Sequence, residues 1–293
     1  MKSNRLKIQG QLFMLPFFLL SFFPSFILSI LRYFIYILLS KVLKYRLNVV
    51  KDNLRKAFPD NTQEQNNAVA KSYYLHLSQL LIDFIKGTTI GSKELKKQVV
   101  LHSIPLFEDY YNKNQSIILL MGHIGNWEKI GLISNHLIPQ QSVIIYKKLN
   151  QPFFEYIFKK YRERLGAQMV EMNNTNVFLK NIHLSNSAIT MLSDQSPSSI
   201  KRATWCNFLN QQTAFLSGAE IISKKYNLPV LYLDVNISNS DIYNIYPKVI
   251  HDTNKEIICE NIIETYAKEL DASIRKNTSF WLWSHRRWKH KIQ

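Results

Sequence analysis

The chain is poor in cysteine, with only Cys206 and Cys259 in 293 residues. Two thiols exclude a disulfide framework and a cysteine-rich metal site, and both read as reduced, as in the cytosol. Acidic residues are also scarce: 21 Asp and Glu against 37 Lys and Arg, a formal net charge of +16. Such a surface attracts anions, whether nucleic acid, anionic lipid or an acidic protein. No nucleic-acid-binding motif accompanies the charge, so that first partner class rests on charge alone. The paired histidines of a zinc hydrolase, four residues apart on one helical face, are missing too. What is plentiful is aromatic: 17 Phe and 15 Tyr. That suits apolar or lipid contact, although a large core would absorb many of them. The length fits one large α/β domain.

The N-terminus opens with a basic stretch (Lys2, Arg5, Lys7), and Leu12 to Leu31 then runs without a charge. A helix of that length crosses a hydrocarbon core of about 30 Å. Pro16 and Pro24 interrupt the run, Arg32 closes it, and Ile35 to Leu39 prolong the apolar pattern. A cleaved signal peptide fits least, because the run is long and no small-x-small cleavage site follows. A retained membrane anchor fits best, either spanning or lying in one leaflet. Positive charge flanks both ends (Lys41, Lys44 and Arg46 on the far side), so the charge rule leaves orientation open.

The rest of the chain is organised around residues 116–132, SIILLMGHIGNWEKIGL. Ile117 to Met121 is an apolar run of the kind a buried strand uses. Gly122 and Gly125 give the backbone freedom for a tight turn, and a helix pattern begins near Trp127. His123 and Glu128 are five residues apart, about 140° around a regular helix. They meet only if His123 sits in the turn and Glu128 in the first helical turn. The chemical reading is a histidine general base whose far ring nitrogen is held by a carboxylate. The plainer reading is a polar residue at a sheet end and a glutamate suited to a helix dipole.

Before this stretch, Tyr45 to Asp60 reads as a basic amphipathic helix stopped by Pro59. A capping signal at Thr62–Gln65 opens a helix ending near Gly87. Val99–Leu101 suggests a short strand and Leu106–Tyr111 a short helix. After it, Ser142–Tyr146 is a strand, and a helix from about Phe153 to Leu165 ends in Lys159, Lys160, Arg162 and Arg164. Cations there also suit a helix C-terminus. Ser187–Leu192 is a buried-type strand leading into Asp194 and Gln195, and open α/β sheets gather their sites at strand C-terminal ends. A turn aspartate making local backbone bonds is the plainer account. Thr213 to Tyr226 is read as a helix, Pro229–Val235 as a strand and Asp241–Tyr246 as its antiparallel neighbour. Thr253–Glu256 is read as a capping box for a last helix with Ile257, Ile258, Ile262, Ile263, Tyr266 and Leu270 on its apolar face. The fold class expected is α/β, a mixed sheet flanked by helices.

His-Ile-Gly-Asn-Trp-Glu, His123 to Glu128, resembles the His-x4-Asp/Glu motif of the lysophospholipid acyltransferase superfamily. More narrowly it resembles the lipid A biosynthesis acyltransferases. Four further blocks are similar to that family, in the same order: the Tyr45–Pro59 wording; Tyr-Lys-x-Leu-Asn-x-Pro through Arg162-Glu-Arg164-x-Gly; Asp194-Gln195; and Thr213-x4-Gly218 with the Pro-Val that follows. The tail Trp-x-His285-Arg-Arg-Trp-Lys is nearly the family's own. A departure is Cys-Asn-Phe-Leu-Asn at 206–210 in place of the family's Pro-Phe-Phe-Gly.

The resemblance implies a glycerol-3-phosphate-acyltransferase-like fold, with residues 1–43 as membrane anchor and 44–293 as the acyltransferase domain. It implies transfer of an acyl chain from acyl carrier protein to a hydroxyl of a lipid A precursor, with no cofactor or metal. His123 would be the general base and Glu128 its partner. Asn126, Lys147, Arg162, Arg164, Asp194, Gln195, Thr213 and Gly218 would contact substrate, Arg164 being the better match to the family's substrate-linked arginine. The expected place is a bacterial inner membrane with the site facing the cytoplasm, and nucleic acid is not an expected partner. Another acceptor lipid (a lysophospholipid, a glycerol phosphate or an aminolipid) is the alternative, and a non-catalytic membrane-binding protein a further one.

Overall fold

The computed structural model describes residues 2–182, 186–238 and 242–291. Helix α1 (Lys2–Ser21) and helix α2 (Ser25–Ile37) come first; a π-helical turn, Leu38–Val42, extends α2. Pro24 is the break between them, as its fixed φ and missing N–H require, whereas Pro16 is carried inside α1. The side chains of Lys2, Arg5 and Lys7, read above as the basic flank, lie outside the described part. Ser25–Val42 is long and apolar enough to cross a membrane. Both helices also pack on the domain behind them. Phe13 of α1 meets Phe153 edge-on at 5.2 Å, and Leu28 of α2 is buried with Ile82 and Ile85. Their outer faces leave Phe18, Phe22, Phe26, Ile30 and Phe34 exposed.

Helix α3 (Leu47–Ala57) buries Val50, Leu54 and Ala57. The long helix α4 (Gln63–Gly87) starts with the expected capping box, Thr62 and Gln65 bonding each other's backbone N–H. Then follow α5 (Ser92–Gln98), strand β1 (Val99–Leu101), α6 (Ile104–Asn112), β2 (Ile117–Met121), α7 (Trp127–Ile133), β3 (Gln141–Tyr146), α8 (Pro152–Glu163), β4 (Gln168–Glu171), α9 (Thr175–Leu179) and β5 (Ser187–Leu192). A hairpin of β6 (Ala203–Phe208) and β7 (Gln211–Leu216) precedes α10 (Gly218–Tyr226), β8 (Val230–Ser238), β9 (Ile242–His251) and α11 (Ile262–Lys276).

Among the described residues the main sheet has seven strands in the order β1-β9-β8-β2-β5-β3-β4. It is parallel apart from β9 against β8. The two central strands explain themselves. β2 is Ile-Ile-Leu-Leu-Met and is buried at every position, the unbroken apolar run expected where helices cover both faces. β5 beside it is also buried apart from its last residue. They pair in register, Ile117 with Ala188 through to Met121 with Leu192, so their C-terminal ends lie side by side.

Two helix starts differ from expectation. Thr213 belongs to β7, and α10 begins only at Gly218. Thr253–Glu256 is no capping box: it forms a 3₁₀ turn, and an Asp252–Ile257 bridge closes it. α11 starts at Ile262 from Asn261, with Ile258 left exposed. The expected strand from Asp241 is β9, of which Asp241 itself lies outside the described residues.

Candidate active site

Register brings the site together. His123 lies two residues beyond Met121, and Asp194 two beyond Leu192, the last pair of the β2–β5 ladder. Both therefore emerge at the same sheet edge. His123 Nδ1 is 2.5 Å from Asp194 Oδ1, and the His123 backbone N–H donates to Asp194 Oδ2 at 2.8 Å. The indole N–H of Trp281 donates to the same oxygen at 2.8 Å. Burial pushes the Asp194 carboxyl up, but the charge and hydrogen bonds of His123 and the Trp281 indole outweigh it and bring it down to about 2. A carboxylate that takes Nδ1–H leaves Nε2 as the acceptor. The Gln195 amide nitrogen, a donor, sits 3.3 Å from that Nε2.

The expected partner of His123 is thus not the one found. Glu128 faces Arg162, taking its Nε–H at 2.8 Å and an Nη2–H at 2.5 Å. The reason is the entry of α7. Asn126 accepts from the Lys129 N–H at 2.9 Å and so fixes the N-cap. Glu128 then projects from the first turn toward α8. Burial lowers the Arg162 pKa, but the Glu128 carboxylate more than restores it.

Gly122 continues the parity of Ile118 and Leu120, so its Cα faces away from His123 and toward α11. A Cβ there would come within 2.4 Å of Leu270. Gly125 has φ +63°, which an L side chain rarely adopts, and a Cβ would also press on Tyr243. The Gly125 carbonyl accepts from His76 at 3.1 Å. Ile124 bridges to Trp281, and the Gly125 N–H reaches the Phe280 carbonyl at 3.0 Å. The aromatic, basic C-terminal segment is therefore folded onto the site. His285 Nε2 accepts the Ser196 N–H at 2.9 Å, and burial brings its pKa down to about 4.

A cavity of about 830 Å³ opens from His123. Leu119 and Met121 of β2, Thr190 and Leu192 of β5, and Phe107 and Ile130 form its inner wall; Lys147, Lys148, Asn150, Arg162 and Lys289 stand at its mouth. Leu119, Met121 and His123 alternate onto one face of β2, which carries the apolar wall straight to the imidazole. The volume and the mainly apolar lining with a few polar groups are those of a small-molecule site. Among the described residues no group of three or more His, Cys, Asp and Glu side chains is placed to hold a metal ion.

The other sequence-predicted residues divide. Glu128, Lys147, Arg162 and Gln195 line the cavity with His123. Asp194 lies beneath His123. Asn126 is buried behind the turn, its amide donating to Asp83 Oδ2 at 2.7 Å, so it holds the turn and does not face the cavity. Arg164 points away, donating to the Ile90 carbonyl at 2.5 Å. Of the two arginines it is Arg162 that reaches the site. Thr213 is buried under Trp288, whose indole donates to its hydroxyl at 2.8 Å. Gly218 is exposed, with open space where a Cβ would be. Trp127, Trp281 and Lys289 were not singled out by sequence. Only Lys289 falls within the tail's likeness to the family's C-terminal block, which begins at Trp283.

Comparison with known families gives a match of residues 6–290 to the model of the bacterial lipid A biosynthesis acyltransferases, and the chain belongs to that family. Among curated proteins no match is found.

Proposed function

Proceeding from that membership, we propose that the protein moves a fatty acyl chain from an acyl-carrier-protein thioester to the hydroxyl of a 3-hydroxyacyl chain on a lipid A precursor. His123 is the general base, and Asp194 is the carboxylate that orients it. The observation that carries this reading is the 2.5 Å contact between His123 Nδ1 and Asp194 at the end of a largely apolar cavity.

With Asp194 accepting from Nδ1–H, Nε2 takes the proton of the acceptor hydroxyl as its oxygen attacks the thioester carbonyl carbon. The carbonyl electrons move onto oxygen, and this reading gives the Gln195 amide, 3.3 Å from Nε2, the role of donor to that oxyanion. Collapse breaks the C–S bond. The departing thiolate takes the proton from the imidazolium, giving ester and free thiol with His123 restored. No nucleophile of the enzyme enters the sequence. Asp194 stays ionised throughout, since its pKa is held at about 2.

Glu128 acts through Arg162, holding the guanidinium at the cavity mouth. There Arg162, Lys147, Lys148 and Lys289 offer charge to the phosphates of the glycolipid. Residues 1–43 are the retained anchor of this reading, at a bacterial inner membrane with the mouth toward the cytoplasm. The charge of +16 favours both anionic lipid and an acidic carrier.

The test is transfer from acyl carrier protein charged with radiolabelled chains of several lengths to a lipid A precursor. Label is expected in the glycolipid with the wild-type chain and not with His123→Ala. Label appearing only in a lysophospholipid or another acceptor would replace the glycolipid. Wild-type turnover by a folded His123→Ala variant would sink the mechanism.

A further inference from the structure

A second cavity, of about 540 Å³, lies behind the catalytic turn, between α2, α4, α5 and α7. Its polar lining comes from both the N-terminal helices and the domain: Ser25, Ser29 and Arg32 from α2, Asp83 and Lys86 from α4, and Lys129 from α7. Arg32 is the sole charged residue of α2. It turns inward, donating one N–H to Gln79 Oε1 at 3.0 Å. Gln79 donates in turn to Asp83 Oδ1 at 3.0 Å. Asp83 Oδ2 takes the Asn126 amide at 2.7 Å and lies 3.3 Å from the Lys129 ammonium.

The charges in this cavity do not balance. Asp83 is matched by Lys129. Glu94, also in the lining, is paired with Lys97 outside it. Among the described residues Arg32 and Lys86 form no ion pair, so two cations face the cavity uncompensated. Solvation alone does not call for an arginine in this place. A lone arginine in an otherwise apolar helix ordinarily snorkels outward to the membrane interface. This one is held against the domain, on the helix whose outer face exposes Phe26, Ile30 and Phe34.

We propose that this rear cavity binds a phosphate ester, the headgroup of an anionic membrane lipid, between Arg32 and Lys86, with the lipid's chains along the exposed face of α2. Arginine and lysine supply the charge-assisted bonds a phosphate takes, and the serine hydroxyls of α2 line the same space. The site is separate from the acceptor site: α7 divides the two cavities, Glu128 lining one and Lys129 the other. The proposal rests on membrane placement of α1 and α2 but not on which acceptor is acylated.

The full chain in detergent would be mixed with vesicles of phosphatidylcholine, alone or with phosphatidylglycerol, and bound protein measured by co-sedimentation. Removing a charge at a membrane surface costs about five-fold in partition. Arg32→Gln with Lys86→Gln should therefore weaken binding to the anionic vesicles by about 25-fold and leave binding to neutral vesicles unchanged. Lys268→Gln with Lys276→Gln, exposed on α11, removes the same charge and should cost less than about two-fold. Equal losses in the two double variants would mean general attraction only and overturn the proposal. Lys86→Gln alone, which leaves the anchor helix intact, should give about five-fold; no effect would also overturn it. Glycerol 3-phosphate is the soluble arm. If it raises the melting temperature of wild type but not of Lys86→Gln, and anionic vesicles show no preference, the ester is a soluble one and the lipid assignment falls. Since binding is read without turnover, failure here leaves the acyltransferase reading standing, and failed transfer leaves this one.

Discussion

Two carboxylates stand near the His123 turn, and they are held by different parts of the molecule. Asp194 is set by the sheet. It sits at a strand end, buried, with His123, its backbone N–H and the Trp281 indole all on it. Glu128 is set by helices. It leaves the first turn of α7, is partly exposed, and meets Arg162 from α8. The strand-end carboxylate has the imidazole; the helical one has the cavity mouth. Nearness in sequence is therefore a poor guide to partnership: residues 71 apart meet because two parallel strands end in register, while residues five apart do not.

That contrast breaks most readily by mutation. Asp194→Asn removes the acceptor of Nδ1–H and frees the wrong tautomer, and should lower kcat by about 10³-fold or more with the fold kept. Glu128→Gln should lower kcat by about 10-fold at most and raise KM for the acceptor, because it loosens Arg162 and leaves His123 alone. Steady-state kinetics of the two variants decide the matter. If Glu128→Gln were the more damaging in kcat, the roles assigned to the two carboxylates would have to be exchanged.

A smaller effect sharpens the comparison. Trp281→Phe keeps an aromatic ring for the edge-on contacts with Phe208 and Trp283 and removes one hydrogen bond to Asp194. Its acid limb in a pH–rate profile should move upward, with a loss of about 10-fold in kcat. A change in melting temperature without any shift of the profile would reduce Trp281 to packing.

The smallest effect concerns stability. His76 and His285 are brought down to about 4 by burial. Between pH 6.5 and 4 the unfolded chain binds protons that these folded-state rings refuse, so stability falls as pH falls through that window. Asp194 acts in the same direction at a lower pH: its contribution is whole above pH 3.8 and is lost as pH falls toward 2. The melting temperature should drop by a few degrees from pH 7 to 4.5, and by less in His76→Gln. A flat profile in the wild-type protein would count against the buried, neutral state of these rings.

Much of this could be read from residues alone. The central strands announced themselves because a strand covered on both faces must be apolar throughout, and Thr62–Gln65 capped its helix as its spacing said. Both His123 and Asp194 were visible as candidates. Their pairing was not, since register between distant strands is not written in either segment. The failures have the same character. Thr253–Glu256 has the wording of a capping box, but Asp252 takes the local backbone bonds and delays α11 to Ile262. The β6–β7 hairpin carries too short and mixed a pattern to separate from loop, and so by sequence Thr213 reads as the start of the helix that follows it. Arg162 and Arg164 are two residues apart on or beside one helix, and only the packing of α8 against α7 chooses between them.

The tight fit at Gly122 bears on how this turn can change over generations. Its size limit is imposed by Leu270, a residue of α11 on the sheet's other face. A methyl group at 122 forces the Leu270 side chain to move in the present background and is relieved of that cost once 270 is shortened. In a laboratory lineage the two positions should move in a fixed order, the helix first and the turn second. A library randomised at 122 alone should favour glycine over alanine, and one built on Leu270→Ala should narrow that preference.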